Sequence, residues 1–172
     1  MKKLSLLFAS LLMAACASTP KTDTTQQTID KNTPVEADKK TAQVSMTDSE
    51  ASKLTDEIEK LQSQSVYFDF DKFVVKPEYR DALNNQANFT KDQKNDIVTL
   101  QGNADERGSS EYNLALGAKR ANAVKNSLKV LGVPANKILD VSFGEEKPRL
   151  SCHEEKCWQE NRRVDFVHQL GK

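Results

Sequence analysis

From about residue 64 onward, this sequence predicts an α/β sandwich with helices packed on a four-stranded mixed sheet. Three observations carry that reading. Runs rich in β-branched and aromatic residues recur at 66–71, 97–101, 138–143 and 164–167. Between the first three runs, apolar residues fall at helical spacing, three and four apart. Start and stop residues punctuate those stretches, with Pro77, Ser109 and Ser110 before helices and Gly132 and Pro134 after one. The resulting order is βαβαβ, then a loop or short helix, then β.

The chain begins with Lys2 and Lys3, followed by an apolar run at 4–12 that is too short for a stable membrane span. It ends in Met13-Ala14-Ala15-Cys16, small residues directly before a cysteine. This resembles the bacterial lipobox, with Met13 standing where Leu is usual. The resemblance implies a lipoprotein signal peptide at 1–15, lipidation of Cys16 and, because Ala17 rather than Asp follows, sorting to the outer membrane. More than one acyl chain gives stable anchoring, where a single chain binds only marginally. Residues 16–63 then read as the lipidated cysteine and a mostly disordered tether, since 17–63 hold neither an aromatic residue nor a glycine. A short helix at 49–61 is the exception, with Ala51, Leu54, Ile58 and Leu61 on one stripe. As a coil the tether reaches roughly 35–40 Å.

Residues 64–172 form the globular domain. The first strand, 66–71, is aromatic and turns polar at its end. A helix at 77–89 has Pro77 in its first turn and Tyr79, Leu83, Gln86 or Ala87, and Phe89 inward. In the strand 97–101, Ile97, Thr99 and Gln101 alternate with Val98 and Leu100. The next helix carries a stripe of Leu114, Gly117, Ala121, Val124, Leu128 and Leu131, expected to face the sheet. The formal charge is zero and no Lys/Arg block occurs, which sets nucleic acid aside as a partner.

The chemistry is concentrated in 102–120. Asp105 lies in a turn between Gly102 and Gly108, and Arg120 follows fifteen residues later on the helix. A carboxylate accepts hydrogen bonds from an ammonium, and a guanidinium offers a planar fork to a carboxylate. Such a pair can hold both ends of one amino-acid head group. Asn113, Leu116 and Arg120 share a helix face offset from the apolar stripe by about 100°, so they are expected on its shoulder beside the sheet edge. The end of the strand feeding such a helix is where α/β folds build sites, and exposed turn amides near the helix N-terminus suit an anion.

Six motifs stand in order and spacing: 66–71 (VYFDFD), 102–108 (GNADERG), 111–117 (EYNLALG), 119–121 (KRA), 144–147 (GEEK) and 161–164 (NRRV). They resemble the peptidoglycan-associated lipoproteins, which carry an OmpA-like C-terminal domain, over roughly residues 64–170. Asn103 stands where many members have His. The resemblance implies non-covalent binding of peptidoglycan through the meso-diaminopimelate of its stem peptide, without catalysis or cofactor. Asp105 then takes the free ammonium and Arg120 the carboxylate. Phe70, Asp71, Ala104, Asn113 and Leu116 support them, together with an Arg of the NRRV strand, Arg163. The implied partners are peptidoglycan, the outer membrane through the N-terminal lipid, and TolB with other Tol-system proteins. Glu106 and Arg107 are expected to contribute to the TolB surface.

Two further clusters call for a reading. Cys152 and Cys157 flank His153, and with His168 they invite a zinc site. Their spacing matches no common zinc motif and the compartment is oxidising, so a Cys152–Cys157 disulfide is preferred. Asp69 and Asp71 lack the partners that acid–base hydrolysis needs. Two other functions remain open at this point: a cell-wall hydrolase, and a protein-binding lipoprotein whose crevice takes no wall ligand.

Overall fold

The structure, a computed structural model, describes residues 48–171. The expected signal peptide, lipidated Cys16 and the expected tether up to residue 47 lie outside the described residues. The first element, α1 (Asp48–Gln62), covers the expected short helix. Leu61 is its one buried residue, and Leu54 and Ile58 are half-buried on the same stripe. A buried polar chain fixes its end. Gln86 Nε2 donates to the Leu61 carbonyl at 2.8 Å, Gln86 Oε1 lies 2.7 Å from His168 Nε2, and His168 Nδ1 lies 2.8 Å from Asp96 Oδ2.

Strand β1 (Val66–Tyr67) is shorter than the run at 66–71. Phe68 still donates from its backbone to the Arg162 carbonyl at 2.9 Å and is buried, but pairing stops there. Asp71 turns the chain away with φ at 56°, the left-handed region that non-glycine residues rarely adopt. A 3-10 turn at Pro77–Tyr79 leads into α2 (Arg80–Asp92). Then follow β2 (Asp96–Asn103), α3 (Ser110–Val130), a 3-10 turn at Ala135–Lys137, β3 (Ile138–Gly144), α4 (Glu155–Asn161) and β4 (Arg163–Leu170). The short helix α4 occupies the segment before the last strand, where a loop or helix was expected.

The sheet order is β1-β4-β2-β3. β4 runs antiparallel to both β1 and β2, and β3 runs parallel to β2. A parallel pair needs a crossover, which α3 supplies. Period-two alternation sends Val98, Leu100, Val164 and Phe166 to the helix side. There they meet Leu83 and Ala87 of α2 and Ala121, Val124 and Leu128 of α3.

Gly117, Ala121, Val124 and Leu128 of the predicted α3 stripe are buried as expected, but the inward face is wider and shifted at its N-terminal end. Leu114 is 51% exposed, whereas Asn113, Leu116 and Arg120, expected on the shoulder, are all buried. Gly117 explains the rotation. A Cβ at Gly102 would overlap the Gly117 carbonyl oxygen, and one at Gly117 would lie 2.8 Å from the Gly102 oxygen. The helix therefore lies backbone against backbone on the end of β2, which pulls its neighbouring face down onto the sheet. Gly102 is thus a packing residue within β2. The turn uses Gly108, whose φ is +110°.

Candidate ligand-binding site

Where β2 ends and α3 begins, Phe70, Asp71, Asp105, Arg107, Gly108, Tyr112, Asn113, Leu116 and Arg120 line a cavity of about 260 Å³. Six of the eight residues expected at a ligand site therefore meet in one place. Ser109 starts the helix, its side chain accepting from the Tyr112 amide at 3.2 Å. That cap sets the first turn, and Tyr112, Asn113, Leu116 and Arg120 follow on successive turns.

Arg120 forms part of the cavity lining yet is 0% exposed. Its guanidinium is held by three backbone carbonyls: Nε to Lys72 at 2.9 Å, Nη1 to Asn103 at 2.8 Å and Nη2 to Asp69 at 3.2 Å. A guanidinium has five N–H donors, so two are left over. None of the ion pairs among the described residues includes Arg120. Burial pushes its pKa down to about 10, with Asp105 and Asp71 acting against that at a distance. At neutral pH it is a rigid, buried cation with dipoles around it and no counter-charge in contact.

Asp105 has a different environment. Its Oδ1 accepts from the Arg107 backbone amide at 3.1 Å and from Arg107 Nε at 3.2 Å. Its Oδ2 accepts from Arg107 Nη2 at 2.7 Å and from Arg162 Nη1 at 3.2 Å. Burial raises the Asp105 carboxyl, but the bonds from Arg107 and Arg162 outweigh it and hold the pKa below the usual carboxylate value. Asp105 and Arg120 line the same cavity without bonding to each other, each held by its own set of partners.

The rest of the wall is divided by chemistry. Asp71, in its left-handed conformation, is exposed and accepts a short hydrogen bond from the Tyr112 hydroxyl. Asn113 donates a short bond from Nδ2 to Glu145. Phe70, 55% exposed, and Leu116 supply apolar surface.

Two expected residues are not in the lining. Ala104 is buried, and its amide bonds the Gly144 carbonyl at 2.7 Å, closing the β2–β3 seam beneath the site. Arg163 projects to the other side of the sheet. Its Nε bonds Asp165 Oδ2 at 2.9 Å and its Nη2 bonds the Lys147 carbonyl at 3.3 Å. Alternation along the strand is the reason: Arg163 and Asp165 share one face, and Arg162 falls on the opposite one. The arginine of NRRV that reaches Asp105 is Arg162, which also bonds the Phe68 carbonyl at 3.0 Å and Glu155 at 2.7 Å.

Sequence reasoning also missed the role of α4. The Arg107 guanidinium lies between two rings, 4.0 Å from the Phe70 centroid and 4.1 Å from that of Trp158. Trp158 Nε1 donates to Glu106 at 2.8 Å, and His153 Nδ1 lies 2.7 Å from the same carboxylate. Those two contacts, Trp158 first, hold the Glu106 carboxyl below its usual value. The Cys152–Cys157 disulfide, Cα atoms 5.7 Å apart, closes the loop that carries these groups. His168 is committed to Asp96 and Gln86, well inside the core. Trp158 and Arg107 are far apart in the sequence, so no local signal pointed to this clasp.

With the geometry in place, comparison with known proteins is direct. The OmpA family matches residues 67–162. The peptidoglycan-associated lipoprotein of Pasteurella multocida is 44% identical over 104 residues, covering 60% of this chain and 69% of that one. The namesake from Agrobacterium fabrum is 42% identical over 102 residues, 59% of this chain, and the match spans only 58% of that relative's length. The crystal structure of the peptidoglycan-associated lipoprotein from Burkholderia pseudomallei superposes with a TM-score of 0.61 at 48% identity. It covers 62% of this chain and 90% of that one. The chain belongs to the OmpA family, among its peptidoglycan-associated lipoproteins.

Proposed function

We propose that this protein is a non-enzymatic outer-membrane lipoprotein that binds peptidoglycan. It holds the meso-diaminopimelate of the stem peptide and so straps the membrane to the wall. The observation that carries the proposal is Arg120, a fully buried cation lining an open cavity, without an ion-pair partner and with two N–H groups to spare. A ligand carboxylate supplies the missing counter-charge, and the fork geometry fits it in two bonds. Asp105 and Asp71 in the same cavity suit an ammonium on the same carbon. Phe70 and Leu116 cover the methylene chain.

Hydrogen bonds to charged groups contribute about 1.5–3 kcal/mol each, so one stem is held weakly. Repeated stems and a tethered protein turn weak contacts into stable retention. Lipidation at Cys16, a periplasmic domain, and service in the Tol-Pal system with TolB as partner complete the proposal. Lipidation rests on the lipobox at 13–16, and the Tol-system role on the motif resemblance to the family.

The test is sedimentation of the soluble domain with purified sacculi. Wild type pellets with them, while Asp105→Ala and Arg120→Lys stay largely in the supernatant with melting temperatures measured alongside. Lys keeps the charge but loses the fork. A wild-type domain that stays soluble removes wall binding. Folded variants that pellet normally remove the assignment of these residues.

A further inference from the structure

Resting on the ligand reading above, we propose that Arg107 is a displaceable internal cation that occupies Asp105 while the pocket is empty and moves aside for the ligand ammonium. All four acceptor positions of the Asp105 carboxylate are taken. Three are filled by Arg107 and one by Arg162. Arg162 is buried and locked by the Phe68 carbonyl and Glu155, so it does not yield. Arg107 is half-buried at the cavity rim, and its side-chain bonds to Asp105 are the ones an incoming ammonium can replace.

The site contains a second seat for it. Glu155 Oε2 lies 3.7 Å from Arg107 Nη2, against 2.7 Å for Asp105 Oδ2. The Phe70 and Trp158 rings sandwich the guanidinium at about equal distances. A planar cation between two ring faces can slide in its own plane while keeping both contacts. Movement from Asp105 toward Glu155 exchanges a buried carboxylate for an exposed one that also pairs with Arg162. The result is a latch that keeps Asp105 neutralised between ligands and rejects groups too weakly charged to displace a guanidinium.

A closed latch lowers apparent affinity by the fraction of molecules in which it is open. If that fraction is one-tenth to one-third, removing the latch tightens binding about three- to tenfold. The experiment is calorimetric titration of the soluble domain with a diaminopimelate-containing tripeptide. Wild type, Arg107→Gln, Glu155→Gln and Asp105→Ala are compared, each checked for its melting temperature. Arg107→Gln is expected to bind more tightly than wild type, Glu155→Gln more weakly, and Asp105→Ala hardly at all. If wild type binds and folded Arg107→Gln binds equally or more weakly, the latch is wrong while the ligand reading stands. If Glu155→Gln binds as wild type does, the second seat is wrong and the latch with it. If wild type does not bind, the ligand reading and the latch both fall.

Discussion

Arg120 is buried among carbonyls because α3 is drawn onto the sheet beside Gly117, and the charge has nowhere else to go. Burial lowers its pKa to about 10, which shows that the fold holds the cation there against the cost of desolvation. Under the proposed function, that buried cation is what a ligand carboxylate would meet. Asp105 works in the opposite direction. Its folded pKa lies below the usual carboxylate value because donors surround it. A depressed carboxylate stabilises the folded state above the unfolded pKa, and that stability is lost as pH falls through the folded value. The stability gap between wild type and Asp105→Asn, read by urea unfolding, is therefore expected to be level above about pH 4 and to close in stronger acid. A gap that widens in acid contradicts this account of Asp105.

Among the elements, α3 does most to shape the site, and its packing on β2 depends on two glycines. Gly117 has no room for a methyl group, lying against the Gly102 backbone and Ser142. Gly117→Ala is expected to cost about 1–3 kcal/mol by overpacking, and to loosen the Arg120 end of the pocket as α3 lifts. Urea unfolding with ligand titration checks both, and unchanged stability would show that the seam yields freely. The helix periods were readable in the sequence because α2 and α3 carry apolar residues three and four apart. The rotation of α3 was not. It follows from two backbones in contact and from carbonyls satisfying a charge, neither of which an apolar stripe reveals. Leu114 was therefore expected inside and Arg120 beside the sheet, and the structure exchanges them. The choice between Arg162 and Arg163 turned on where β4 begins, the least readable feature of any strand.

At the scale of the whole molecule, the sheet order β1-β4-β2-β3 brings three separate parts of the chain to one cavity. The loop after β1 brings Phe70 and Asp71, the β2–α3 turn brings Asp105 and Arg107, and α4 braces the rim with Trp158 and Glu155. The first two were legible because their motifs are local. The third was not, since Trp158 and Arg107 are distant in sequence and meet only through the fold. On the far side, the chain Leu61–Gln86–His168–Asp96 joins α1 to the sheet that carries the cavity. The central claim is that the pocket reads both charges of one ligand end, and a comparison of two tripeptides tests it most directly. One carries meso-diaminopimelate and the other carries lysine at that position, which removes the side-chain carboxylate and leaves the ammonium. Calorimetric titration should show the lysine peptide binding about 10- to 150-fold more weakly, the loss of one charged hydrogen-bonded contact. Equal affinity for the two peptides would mean that Arg120 does not receive a carboxylate, and the account would be wrong at its centre.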